Sequence, residues 1–317
     1  IRQKFFFFIF SYLLLHIRDY IYLIYNYKFF LMVNIKYHID DFCLTSSISK
    51  NLIKLINNKP NAVDGISCIV NTNKNIGHWI KKLKKVNKKI DIHLHLNLID
   101  GKSLSKKLKK IINKKNYLNN NFLSLFFLRI RPNFYIYKKE IEKEIDAQIK
   151  LFLNLYKKNA KKKYKKISID SHQHIHMIPW IFDIILELNK KNNIKFIRTT
   201  KEPFILSSKY NLLNLWFYKN LMKFIILNFL SFINKKKISI NKLKTNNLFF
   251  GIINSGHMNK DYINLIKKRN LSNKNIQILL HPNIAKKSEQ KILGNNNKIN
   301  YYLKKNRIKE FKFILEN

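Results

Sequence analysis

An α/β fold, with a mostly parallel, barrel-like sheet and helices outside it, is what this sequence predicts, and three observations predict it. From Met32 onward, strand-like and helix-like segments alternate along the chain. Polar residues stand at the C-terminal ends of four strand-like segments, at Asp40 and Asp41, His95, Asp170 with His172, and His281. That end of the strands carries the active site in closed α/β barrels. The 317 residues, 46% of them hydrophobic, supply enough core for one large α/β domain or two smaller ones.

The elements follow in order. Val33 to Ile39 is a strand candidate running into Asp40-Asp41-Phe42, and Ser46 to Asn57 has helical period. Gly65 to Val70 is a second strand, Ile76 to Val86 a helix, and Ile90 to Leu98 a strand that contains His93 and His95. Glu140 to Tyr156 is a helix on the spacing of Ile141, Ile145, Ile149 and Leu153. A Lys-rich connection, 157 to 166, leads into a strand over 167 to 170. Pro179 to Asn192 is a helix, Ile194 to Arg198 a short strand, and Ile276 to Leu280 a last strand ending at His281-Pro282. The aromatic, Lys/Asn-rich stretch 203–248 reads as a helical insertion or lid. Residues 32–317 read as one catalytic domain with no internal repeat of fixed period.

Residues 1–31 stand apart. The apolar runs 5–15 and 20–33 each fall short of the ~20 apolar residues needed to span a bilayer. No small-residue cleavage site follows the first run, as a signal peptide requires. The segment reads as an N-terminal extension outside the catalytic domain, with weak membrane association as the alternative.

The formal charge of +44 points toward polyanions, but the excess is Lys, with Arg only at positions 2, 18, 129, 131, 198, 269 and 307. Base and phosphate readers lean on the bidentate Arg fork. Lys dispersed among Asn, Ile and Phe reads as solvated faces, so no specific nucleic-acid partner is expected, only a salt-sensitive affinity for polyanions. Cys43 and Cys68 make no disulfide framework and no paired zinc motif, which fits a reducing cytoplasm.

The chemistry concentrates at Asp170-Ser171-His172-Gln173-His174-Ile175-His176. One carboxylate and three imidazoles fall on every second residue, which in an extended segment projects them to one side. Three of the ten His within five residues argue against a chance surface loop. Metal chemistry or proton transfer at a strand end explains such a concentration.

These residues, with others in the same order, resemble the YdjC-like carbohydrate deacetylases, also called the ChbG/HpnK family. The landmarks are His38-Ile39-Asp40-Asp41-Phe42, His95-Leu96-Asn97-Leu98-Ile99-Asp100-Gly101, Glu144-Ile145-Asp146-Ala147-Gln148, the segment 170–176, Arg198-Thr199-Thr200-Lys201-Glu202 and His281-Pro282. The resemblance runs from about Met32 to about Ala285. It implies a barrel-like deacetylase fold and a divalent-metal hydrolase acting on N-acetylated carbohydrate or glycolipid, with Asp41, His95 and His172 as metal ligands. Two imidazoles and a carboxylate leave positions open for water and a carbonyl. Mg2+ and Zn2+ are not separated by the sequence, and a homodimer is compatible with it.

Asp40 is the candidate general base, provided that the chain turns so that two adjacent residues serve one site. An amine leaving group needs a general acid, His281 first and His174 second. Asp170 and His176 would fix imidazole tautomers, and Gln148, Arg198 and Glu202 are candidates for substrate or shell contacts. Cys43, His93 and Asn283 stand where the family pattern has Gly. Cys is poorly suited to a left-handed backbone, and His93 lies on the face of His95, where it competes for metal.

Overall fold

Seven strands form one sheet in the order β5-β4-β3-β2-β1-β7-β6, every neighbouring pair parallel. They are β1 (Asn34–Phe42), β2 (Gly65–Cys68), β3 (Asp91–Leu96), β4 (Ile167–Ser171), β5 (Ile194–Ile197), β6 (Leu248–Phe250) and β7 (Asn275–Leu280). The expected α/β architecture holds. The computed structural model describes residues 34–106, 108–159, 166–206, 215–269, 271, 274–289 and 305–316; the apolar segment 1–31 lies outside them.

Strands β1 to β4 have an apolar side under the helices and a largely polar side facing inward. Ile92, Leu94 and Leu96 alternate with His93 and His95 on β3, and Ile167 and Ile169 with Ser168 and Asp170 on β4. Register then stacks the inward groups. His38 lies opposite Gly65 and Leu279, His93 opposite Ser67, and His95 opposite Asp170. The sheet curls until its edges meet. Phe196 bridges Lys244 in parallel, and Lys201 O accepts from Phe249 N at 2.8 Å. Between these contacts Asn246 stitches the seam with its side chain, accepting from Thr199 N (2.8 Å) and donating to Thr199 O (2.9 Å).

The helices are α1 (Ser46–Asn58), α2 (Ile76–Val86), α3 (Phe122–Phe126), α4 (Phe134–Asn159), α5 (Pro179–Asn192), α6 (Leu215–Ile240), α7 (Lys260–Lys268) and α8 (Lys305–Glu316). Local chemistry sets several starts. The Thr45 hydroxyl caps α1, an Asn121/Ser124 capping box opens α3, and Pro179 occupies the first turn of α5. Among the described residues no helix is long and apolar enough to cross a membrane.

Helix α4 begins six residues before the expected Glu140, and it holds the loop after β3 by its acidic face. Glu140 accepts from Lys109 N and Lys110 N, and Glu144 from Leu104 N, Ser105 N and the Ser103 hydroxyl. The stretch 203–248 contains α6, which packs on α5 and on the turn after β4, and it ends where β6 begins.

The alternating arrangement expected for residues 170–176 does not hold. β4 stops at Ser171, and His172–Met177 fold into a 3-10 turn in which Gln173 (φ 54°) and His174 (φ 57°) are left-handed. The Ser171 hydroxyl causes the turn, since its oxygen accepts from His176 N at 2.9 Å and pairs with His176 Nδ1 at 2.6 Å.

Candidate metal centre

Two adjacent carboxylates open the site, and the backbone explains how both reach it. Asp40 points into the barrel from β1, whereas Asp41 takes φ 65°, and the pairing with β2 slips between Ile39 and Phe42. The chain turns here, as two adjacent residues serving one site require. Cys43 follows at φ 68°, a left-handed position where Cys carries steric cost and Gly would not. Asn283 has no left-handed backbone. Its amide donates to Asp40 O (3.1 Å) and Asp41 Oδ2 (3.3 Å), tying β7's end to the turn.

Asp41, His95 and His172 are all buried, and each offers one ligand atom with all three atoms within 4.8 Å of one another. His172 Nδ1 is 2.8 Å from Asp41 Oδ1, and His95 Nε2 is 3.4 Å from the same oxygen. Behind each imidazole stands a second carboxylate. Asp170 Oδ1 lies 2.6 Å from His95 Nδ1, and Asp100 Oδ2 lies 3.3 Å from His172 Nε2. A carboxylate behind each ring fixes the inward nitrogen as the coordinating one, so the donor set fits a divalent cation. Burial works against charging either ring. Asp40 and then Asp170 nevertheless raise His95 to about 10, and Asp41 with Asp100 raises His172 to about 9.

Two further groups, His38/His93/Asp170 and Asp40/His95/Asp170, are equally close. Both are occupied by another cation. Arg198, fully buried, donates to Asp40 Oδ2 (2.8 Å) and Oδ1 (2.9 Å) and lies 2.8 Å from Asp170 Oδ2. A metal there would face the guanidinium directly. Burial works to raise the Asp40 carboxyl, but Arg198 and then His95 hold it below the usual carboxylate range. Ser67 donates to Asp170 (2.6 Å) and so accepts from His38 Nε2 (2.6 Å). His93 spans Asp170 (3.1 Å) and Asp91 (3.2 Å), which places it one layer below His95 rather than beside it.

Comparison with known proteins settles the family, because residues 35–317 match the family described as YdjC-like protein. The chain belongs to that family. It is 27% identical over 156 residues to a carbohydrate deacetylase of Clostridium beijerinckii, covering 49% of this chain and 56% of that protein. A carbohydrate deacetylase of Xenopus laevis is 29% identical over 116 residues, covering 36% of this chain and 35% of the relative. The chain thus spans about half, or less, of the curated relatives it matches. A crystal structure from Enterococcus faecalis, described as a candidate cellobiose-phosphate cleavage protein, superposes with TM-score 0.57 at 14% identity, over 89% of this chain and 90% of that one. That likeness concerns the fold.

The remaining predicted residues fall into two sets. His281 stands at the end of β7, with burial and then Arg307 pulling its pKa down to about 4. His174 packs edge-on against Phe249, and its buried Nδ1 has no hydrogen-bond partner among the described residues. Burial and then Arg198 push its pKa well down. Both stand just past the C-terminal ends of their strands, β7 and β4. His176 does not fix another imidazole. Its Nε2 donates to Arg198 O (2.9 Å), so Nδ1 must accept from Ser171, and the ring anchors the strand end that carries Arg198.

Gln148 and Glu202 are not brought to the metal group. Gln148 grips Asn97 through both its amide atoms, and Glu202 accepts from Gly251 N and Ile252 N beneath the loop after β6. Sequence reasoning left Asp100 and Ser67 without roles. Asp100 lies within the segment 95–101, and its carboxylate five residues after His95 was the signal available.

Proposed function

We propose that the chain is a metal-dependent hydrolase that removes the acetyl group from N-acetylated sugars. The observation that carries this reading is the convergence of Asp41, His95 and His172, with Asp170 and Asp100 behind the two rings. The relatives described as carbohydrate deacetylases supply the substrate class. A divalent cation held by the three residues supplies a Lewis acid for the amide carbonyl and for the attacking water. Two imidazoles favour zinc or a neighbouring transition metal over magnesium.

The chain's own groups complete the chemistry. Asp40, kept ionised by Arg198 and 3.9 Å from His95 Nε2, takes the proton of the attacking water. Each of its oxygens holds an Arg198 hydrogen bond and keeps a lone pair free. The carbonyl carbon gains the oxygen, the C–N bond breaks, and the amine nitrogen takes a proton as it leaves. His281 is the donor of that proton, with His174 in reserve. At neutral pH His281 is unprotonated, so it must gain its proton within the cycle. The two thiols, free and buried, fit a reducing cytoplasm.

The test is metal analysis of purified protein, followed by acetate release from a panel of N-acetylated glycans. Removing metal, or replacing His172→Ala, is expected to abolish release. Full activity of His172→Ala with unchanged metal content would refute the ligand assignment.

A further inference from the structure

Two long stretches contain no carboxylate: residues 101–139, between Asp100 and Glu140, and residues 203–260, between Glu202 and Asp261. They carry 11 and 9 Lys and Arg residues respectively. Both leave the barrel at the strand ends that hold the candidate site, the first after β3 and the second after β5. They also meet there. Phe122 and Phe126 of α3 share one apolar cluster with Phe224 and Phe229 of α6, and both helices pack on the 172–177 turn that carries His172.

Around this joint, large apolar side chains face solvent. Leu123, Phe127 and Ile130 (81% exposed) come from the first stretch, and Phe204, Tyr218 and Met222 from the second. Exposed cations stand beside them in sequence, at Arg129, Arg131, Lys219 and Lys223. A face kept merely soluble would not place so many large apolar groups together. Cations interleaved with aromatic and aliphatic side chains match an interface that is anionic outside and apolar beneath.

We propose that this rim docks on an anionic lipid bilayer. The apolar side chains enter the boundary between head groups and acyl chains, while the Lys and Arg residues pair with lipid phosphates. Charge decides against a second copy of the chain as the occupant. A two-fold contact would set this rim against itself, cation facing cation, with no carboxylate of either stretch to pair them. Docking concerns the rim alone, so it is measured without turnover and stands or falls separately from the deacetylase reading.

The experiment is co-sedimentation of the full chain with phosphatidylcholine vesicles containing about one third phosphatidylglycerol, against phosphatidylcholine alone. Binding is expected to the anionic vesicles, weakening as salt is raised. Phe127→Ser combined with Ile130→Ser should weaken it about tenfold or more, and Arg129→Glu combined with Lys219→Glu by a similar factor. Hydrolysis of a soluble N-acetylated oligosaccharide by these variants should be unchanged. Equal binding to neutral vesicles would overturn the proposal. So would undiminished binding by both variants, which would place the contact elsewhere in the chain. A dimer that Ile130→Ser converts to monomer, without vesicle binding, would assign the rim to a second copy instead.

Discussion

Acidification should strip a divalent cation from this chain far more steeply than loss of one ligand would explain. Without metal, His95 and His172 lie between carboxylates that raise their pKa to about 10 and about 9. Both rings are therefore mainly imidazolium at pH 8 and below, and each must shed a proton before its inward nitrogen coordinates. Apparent affinity should then fall about 100-fold per pH unit, or roughly 10,000-fold from pH 8 to pH 6. Calorimetric titration with zinc at pH 7, in two buffers of unlike protonation enthalpy, should report about two protons released per ion. Stability runs the opposite way in metal-free protein. A folded-state pKa raised above its unfolded value stabilises fully below about 6.5, and that contribution disappears as pH climbs through 9 to 10. Metal-free protein should thus melt lower at pH 9 than at pH 6, while the metal-loaded form melts higher. Affinity that stays flat between pH 6 and pH 8, with no proton release, would refute the charged-imidazole reasoning.

Other perturbations probe the supports of the site. Asp100→Asn loosens the ring of His172 without touching the barrel, so metal affinity should drop about 10- to 100-fold, with an unchanged circular dichroism spectrum. Arg198→Met leaves Asp40 and Asp170 buried without their counter-charge and should cost about 3–5 kcal/mol in urea denaturation. A cost below about 1 kcal/mol would mean that the carboxylates are compensated elsewhere. Gly65→Ala places a methyl 2.4 Å from His38 Nδ1 and must push that ring off Ser67. A loss of about 1–3 kcal/mol is expected by thermal melting.

Much of the barrel was legible because its strands alternate outward Ile and Leu with inward polar residues, and period 2 survives a biased composition. β3 and β7 were found within two residues for that reason, and β1 within three. Helix α3 was missed because Phe122 to Phe126 carries no periodic polar face, and its capping box lies in Asn and Ser residues common throughout the chain. The ligand group was legible through spacing and resemblance together, whereas the geometry of residues 172–176 was not. A serine hydroxyl bonding five residues ahead leaves no periodic trace, and the left-handed Gln173 and His174 look like strand continuation in one dimension. Arg198 was visible only as a weak candidate, because its importance depends on β1, β4 and β7 all facing one axis.

The joint between β5 and β6 has consequences for how this barrel comes apart. Elsewhere the staves are joined by backbone ladders, with one slip in β1/β2 and one in β4/β5, but here one asparagine amide bridges two short contacts. Thr199 is the residue next to Arg198, so the staves part beside the most deeply buried cation among the described residues. Once they part, water reaches the guanidinium and both its carboxylates together, and the interior charges solvate in a single step. Amide hydrogens of Thr199 and Phe249 should consequently exchange with solvent ahead of those between β1 and β7.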